Sequence, residues 1–310
     1  MNDITDPSAI ENGAGIARIT CGWKKPQLDL ARVRGYWRDV HSPAISRRPG
    51  LYEYRHYQFE EVNASLFAPV TGVIYQAPPG QQLMWLSDVR YRNQAALELS
   101  TAAPAPEVRA KILGDIDLLV DQSTTYKSVG ADAHTYVDRT GTATPAGLAR
   151  DGSVSVFFRQ RGDDAAFAAG MRALAARWAA VTGVLRVRLS MFEAPDMEAE
   201  RKAGYPIKTH AKELQYQAWI DLVMDNNAVA QTLMQAGDAE FIATVHAYPL
   251  YSLYTFVYNA KPTLAALRGY AAHAAIEYFG AGAAHQTDHG LLSWMYGPIV
   301  DGIQPEEDAA

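Results

Sequence analysis

Tyr36-Trp37-Arg38-Asp39-Val40-His41-Ser42-Pro43, followed by Pro49-Gly50-Leu51-Tyr52-Glu53-Tyr54, decides how this chain is read. The first run lies in a longer segment, Leu28 to Ser46, in which Leu30, Val33, Trp37, Val40 and Ala44 recur at helical spacing. Pro49-Gly50 ends that helix in a turn. Leu51 to Glu60 then reads as a strand rich in tyrosine. Working outward, Ile16 to Trp23 is a strand before the helix, and residues 68–82, interrupted by prolines and glycines, are a loop after it. Leu83 to Tyr91 alternates as a third strand. A helical stretch broken near Pro104 and Pro106 runs to about Asp121, and Thr124 to Val137 is a fourth strand. The order is β-α-β-β-α-β, the split βαβ unit.

The pattern then starts again. Gly141 to Gly152 reads as a linker. Ser153–Arg159 is a strand, Asp163–Val181 an alanine-rich helix and Val184–Glu193 a strand. A polar insertion, Ala194–Lys212, precedes a strand at Leu214–Met224, a helix near Ala228–Ala236 and a closing strand, Thr244–Tyr258. Three anchors recur in order: Gly50-Leu51 with Gly183-Val184, Trp85-Leu86 with Trp219-Ile220, and Gly114-Asp115 with Gly237-Asp238. The expected fold class is α+β, with tandem ferredoxin-like halves whose sheets pair face to face within one chain. The expected divisions are a first half at 1–140, a second half at 151–260 and a C-terminal helix and capping tail at 261–310. In that tail a helix is expected from Pro262, in its first turn, to Phe279.

Composition narrows the function. Of 310 residues, 48% are hydrophobic and 20% charged, as in a packed globular protein. A net charge of -6 disfavours nucleic acid as the partner. Cys21 is the only cysteine, so neither an internal disulfide nor a thiolate metal cluster is expected. Met1 to Gly15 has no apolar core and no stretch has the length of a membrane span, so the expectation is a cytoplasmic protein that does not enter a membrane. No Gly-x-Gly-x-x-Gly, phosphate loop or Gly-x-Ser-x-Gly elbow is present. His285 and His289 stand four apart beside Asp288, but the surrounding glycines argue against a rigid helix, and no metal site is expected.

The Tyr-Trp-x3-His-x-Pro run of 36–43 with Pro49-Gly50-Leu51 resembles the signature of EthD-like proteins. Trp85 to Asp88 and Ile112-Leu113-Gly114-Asp115 are similar to that family's third strand and second helix, so the resemblance covers roughly residues 16–138. The second half departs from it: Arg177-Trp178-Ala179-Ala180 and Gly183 stand there without His-x-Pro, as in a degenerate repeat. The resemblance implies a dimeric αβ-barrel, here intramolecular. That fold hosts cofactor-free lyases, cyclases, small monooxygenases and haem enzymes, and a homodimer of the whole chain is compatible with it.

Candidate chemistry follows from spacing. Trp37 and His41 lie four apart on one helix. Tyr54 and His56 share one face of the second strand, so His41, His56 and Tyr54 are expected to converge in a cavity between helix and sheet. Such a group can move a proton near neutral pH. Trp37 and Trp85 would wall it, and Asp88 would orient a histidine or end a turn. The rival constellation is in the second half, where Trp219 and Asp221 share one strand face and His246 and Tyr248 another. The expected activity is a cofactor-independent lyase, a dehydratase or decarboxylase, acting on a hydrophobic aromatic or carbonyl compound by histidine and tyrosine acid–base catalysis. The alternatives are a haem enzyme with His273 as axial ligand, a cofactor-free monooxygenase and a non-catalytic ligand-binding protein.

Overall fold

The structure is a computed structural model that describes residues 7–202 and 211–297. A short helix α1 (Pro7–Glu11) leads into β1 (Ile16–Lys24). Asp29 caps α2 (Leu30–Tyr36) by accepting the Arg32 N–H. A π-helical turn, Trp37–His41, and α3 (Ser42–Ile45) continue it. Gly50, at φ +77°, turns the chain into β2 (Glu53–Phe59), which is buried along its whole length. β3 (Trp85–Tyr91), α4 (Gln94–Ala102), α5 (Pro106–Leu119), β4 (Val120–Val129), β5 (Ala133–Asp138) and β6 (Ala146–Leu148) follow.

Next come β7 (Ser153–Gln160) and α6 (Asp164–Ala179). Asp163 caps α6, which buries Phe167, Met171, Leu174, Ala175 and Trp178 at helical spacing. The remaining elements are β8 (Val184–Met191), α7 (Met197–Lys202), β9 (Ala218–Met224), β10 (Ile242–Tyr258), β11 (Lys261–Pro262), α8 (Leu264–Arg268), α9 (Tyr270–Phe279) and α10 (His289–Tyr296).

The class is α+β. The strands form one curled antiparallel sheet in the order β4-β1-β3-β2-β10-β7-β9-β8-β5, with β6 and β11 paired to β10. β10 joins the two runs: its last part pairs with β2 and its first part with β7. Curling brings alternate residues of both runs into one interior, where Cys21, Tyr57, Tyr126, Phe157, Trp219 and Tyr248 pack together. Helices cover the other face. The α6 side is a separate core around Trp178, Ile220 and Val245. Among the described residues no helix is long and apolar enough to cross a membrane.

The structure corrects the sequence reading in five places. The π turn adds a residue to the first helix and rotates its stripe, so Val40 is 48% exposed and His41 only 5%. The fourth strand, expected over Thr124–Val137, is two strands: β4 pairs with β1 and β5 with β8. Gly130, at φ +57°, makes the break. The expected linker contains β6. The expected helix near Ala228–Ala236 is a pair of 3₁₀ segments, Asn227–Thr232 and Ala236–Glu240. Pro262 lies in β11, Thr263 caps α8, and Gly269, at φ +80°, separates α8 from α9.

Candidate active site

The first-half constellation does converge. Trp37 stacks on Trp85 at 4.4 Å and lies 4.5 Å from the His41 ring and 5.7 Å from His56. His41, Tyr54 and His56 each have a structural partner, however, while the Trp37 and Trp85 indole N–H groups and His56 Nε2 have none among the described residues. His41 Nδ1 is 3.1 Å from Asp115 Oδ2, and the Tyr36 hydroxyl donates to Asp115 Oδ1 at 2.7 Å. The hydrogen bond with His41 holds the Asp115 carboxyl below the usual range. Tyr54 donates to Ser42 Oγ at 2.8 Å, and burial pushes its hydroxyl up to about 12. His56 is fully buried beside Ser87 Oγ at 3.3 Å. Burial, then the neighbouring His41, lowers its pKa well below 6.5. This arrangement ties α2, α3 and α5 to the sheet.

Asp88 and Asp221 belong elsewhere, in a buried ionic network across the interior. Asp88 takes Arg90 Nε at 2.9 Å and orients no histidine. Asp221 accepts from Arg186 Nε at 2.7 Å and from the Tyr57 hydroxyl at 3.1 Å. Glu11 on α1 accepts from Arg55 at 2.6 Å and Arg186 at 2.9 Å. Arg188 reaches Glu53 at 2.6 Å, and Arg186 also donates to Asp138. Trp219 shares a face with Asp221, but its ring packs against Tyr57 and Phe157. Its supposed counterpart, Trp85, faces the helices. The Trp-based repeat match therefore joins residues on opposite faces of the sheet.

The second-half constellation is a buried tyrosine–histidine cluster. His246 and Tyr248 alternate inward along β10. His246 Nδ1 lies 2.7 Å from the Tyr216 hydroxyl. Tyr248 lies beside Tyr216, and its oxygen accepts the Leu83 N–H at 3.2 Å. Burial, then the Arg159 charge, lowers the His246 pKa to about 4, against a smaller contribution from the Gln76 backbone that favours the proton. Burial pushes Tyr248 up to about 12 and Tyr216 well above 10. At neutral pH all three groups are therefore uncharged.

The cluster adjoins a cavity. Tyr216 and Arg159 line an open cavity of about 810 Å³, with Phe192, Met191, Gln217 and Thr244 also on its wall. The Arg159 guanidinium lies 4.8 Å over the Tyr216 ring. Sequence reasoning found His246 and Tyr248 but missed Tyr216 and Arg159. Arg159 follows the Ser155-Phe157 alternation of β7 and was legible. Tyr216 was not, because it precedes β9 in irregular chain, and alternation from Ala218 and Ile220 would place it on the α6 face.

The remaining candidates lie apart. Cys21 is fully buried in the interior, and burial pushes its thiol up. His273 sits on α9 with Nε2 3.3 Å from Glu277, and it does not line this cavity. His285 falls in a 3₁₀ segment and His289 starts α10 after its cap, Asp288, so the two do not share a helix. Among the described residues no group of three potential ligands could hold a metal ion.

No family model matches this chain, and no curated protein matches it. The EthD-like likeness stays a resemblance carried by the residues quoted above. Among solved structures, a "putative monooxygenase" of Fusobacterium nucleatum is similar at 8% identity and TM-score 0.42, over 78% of this chain and 94% of that one. A "putative monooxygenase" of Lactobacillus acidophilus has 10% identity and TM-score 0.41, over 78% and 96%. An anthrone oxidase-like protein has 11% identity and TM-score 0.44, over 79% and 94%. Likenesses this distant leave the functional reading to the site itself.

Proposed function

We propose that this chain is a cofactor-independent enzyme that removes a proton from a hydrophobic phenolic or enolisable carbonyl compound at the Tyr216–His246 pair. The observation that carries this reading is the 2.7 Å contact between Tyr216 and His246, a buried neutral base, beside an open cavity. In the proposed step the substrate loses a proton to the Tyr216 oxygen while Tyr216 passes its own proton to His246 Nδ1. The Arg159 charge beside Tyr216 stabilises the negative charge left on the substrate. Two outcomes share this step. A dehydratase expels the β-hydroxyl as water, with the proton that His246 took up; a decarboxylase returns that proton to the carbon bearing the carboxylate and then releases carbon dioxide, whose electron pair passes into the conjugated carbonyl or quinone-methide system. A cofactor-free monooxygenase lets the anion react with dioxygen, which adds to the carbon and takes up its electron pair; the peroxide takes the proton from His246 and loses water to leave a carbonyl. An oxygen electrode separates them.

We also read the fold as an intramolecular αβ-barrel of two ferredoxin-like units. In support, each run of the sheet places its fourth, first, third and second strands in the same order, β4-β1-β3-β2 and β10-β7-β9-β8.

Tyr216→Phe and His246→Gln, assayed on a panel of phenols and enolisable ketones, test the assignment. Each is expected to lower turnover by a factor of about 10² or more, whereas His41→Ala retains it in the folded protein. Full turnover in folded Tyr216→Phe and His246→Gln would refute the proposal.

A further inference from the structure

The interior has a second opening, away from Tyr216. A cavity of about 210 Å³ is lined by Arg55, Arg186 and Asp221 and walled by Val223, Leu250 and Leu253. The three polar side chains are 2%, 4% and 1% exposed. Arg55 and Arg186 both donate to Glu11 Oε1, at 2.6 and 2.9 Å, so their guanidiniums lie side by side. Their hydrogen bonding is incomplete: Arg55 Nε and Arg186 Nη2 have no partner, and neither has Asp221 Oδ1. Two unused donors on adjacent cations match the two oxygens of a carboxylate. One unused acceptor beside them matches a hydroxyl on the same ligand. The apolar wall matches a small hydrocarbon body.

We infer that this cavity is a second small-molecule site, for a small apolar carboxylic acid with a hydroxyl next to its carboxylate. Such a ligand completes three buried polar groups at once. An unmet buried polar group is costly, so the match is selective. The inference does not rest on the proton path, which involves none of these residues.

Salicylate, salicylamide and benzylamine titrated calorimetrically into the full chain test it. Salicylate is expected to bind, and the neutral amide to bind about tenfold or more weakly, since one charge-assisted hydrogen bond is worth about that. Val223→Phe, which fills the cavity, is expected to abolish salicylate binding. Leu253→Phe is expected to do the same and serves if Val223→Phe fails to fold. Tyr216→Phe should leave salicylate affinity unchanged, which separates this site from the proposed active site. Preferential binding of benzylamine, wild-type salicylate affinity in a folded cavity-filling variant, or loss of that affinity in Tyr216→Phe would each overturn the inference.

Discussion

His246 is held neutral by what surrounds it: burial first, then the Arg159 charge, bring its pKa from 6.5 to about 4. A base of this kind predicts that kcat/KM falls on the acid side near pH 4 rather than near 6.5, as a pH–rate profile would show. The same depression links to stability. Below 6.5 the unfolded histidine takes a proton that the folded one refuses, so stability is lost as pH falls from about 6.5 towards 4. The gap corresponds to about 3 kcal/mol. His246→Gln should remove that share of the acid sensitivity in urea titrations at pH 7 and pH 4.5. Gly50 offers a second test at this scale. A Cβ there would lie 2.3 Å from the Ala96 carbonyl oxygen, at a φ that only glycine adopts readily. Gly50→Ala should cost about 1–3 kcal/mol, read from the denaturant midpoint.

At the scale of elements, the π turn at Trp37–His41 decides which residues α2 and α3 turn inward. Deleting Val40 should restore regular winding and carry His41 away from Asp115. The loss of that buried charge-assisted bond predicts about 2 kcal/mol of destabilisation, measurable by thermal melting. On the other helix layer, Trp178 fills the core beneath α6, and its indole donates to the Leu233 carbonyl at 2.9 Å. Arg177 beside it holds Asp238 at 2.7 Å, much as Tyr36 beside Trp37 holds Asp115. The sequence match of Gly114-Asp115 with Gly237-Asp238 thus corresponds to a shared task, in which each aspartate ties a connecting segment to the main helix of its run. The Trp85–Trp219 match has no such counterpart, because a one-residue difference in strand phase sends the two rings to opposite faces.

Across the whole molecule the ionic network holds the interior together. Glu11, contributed by the first helix, meets Arg55 from one run of strands and Arg186 from the other. Burial alone would raise its pKa, but Arg186, Arg188 and Arg55 overcome that and hold it well below 4.5. Its contribution is therefore present above pH 4.5 and is lost as pH falls through the lower, folded value. Stability should fall in two stages on acidification, the buried histidines first and the network afterwards. Glu11→Gln leaves buried guanidiniums without their counter-charge and should cost about 3–5 kcal/mol in guanidinium denaturation.

Most of the element order was legible because it rests on local patterning: the alternation of Leu51–Glu60, the helical spacing of α6 and the turn at Pro49-Gly50. His246, Tyr248, Trp219 and Asp221 could likewise be named from strand parity. Three things depended on tertiary structure. The curl of the sheet determined that Asp221 meets Tyr57 of the other run, since side chains far apart in sequence become neighbours only when both runs share an interior. The chain before β9, free of strand parity, delivered Tyr216 to His246. The packing under α2 and α3 closed around His41 and His56, so the conspicuous His-x-Pro segment became a structural tie, and the proposed proton path lies in the run of strands that lacks it. The sequence determines which residues can carry acid–base chemistry; which of them stand beside an open cavity depends on contacts between distant segments, and no local pattern encodes those.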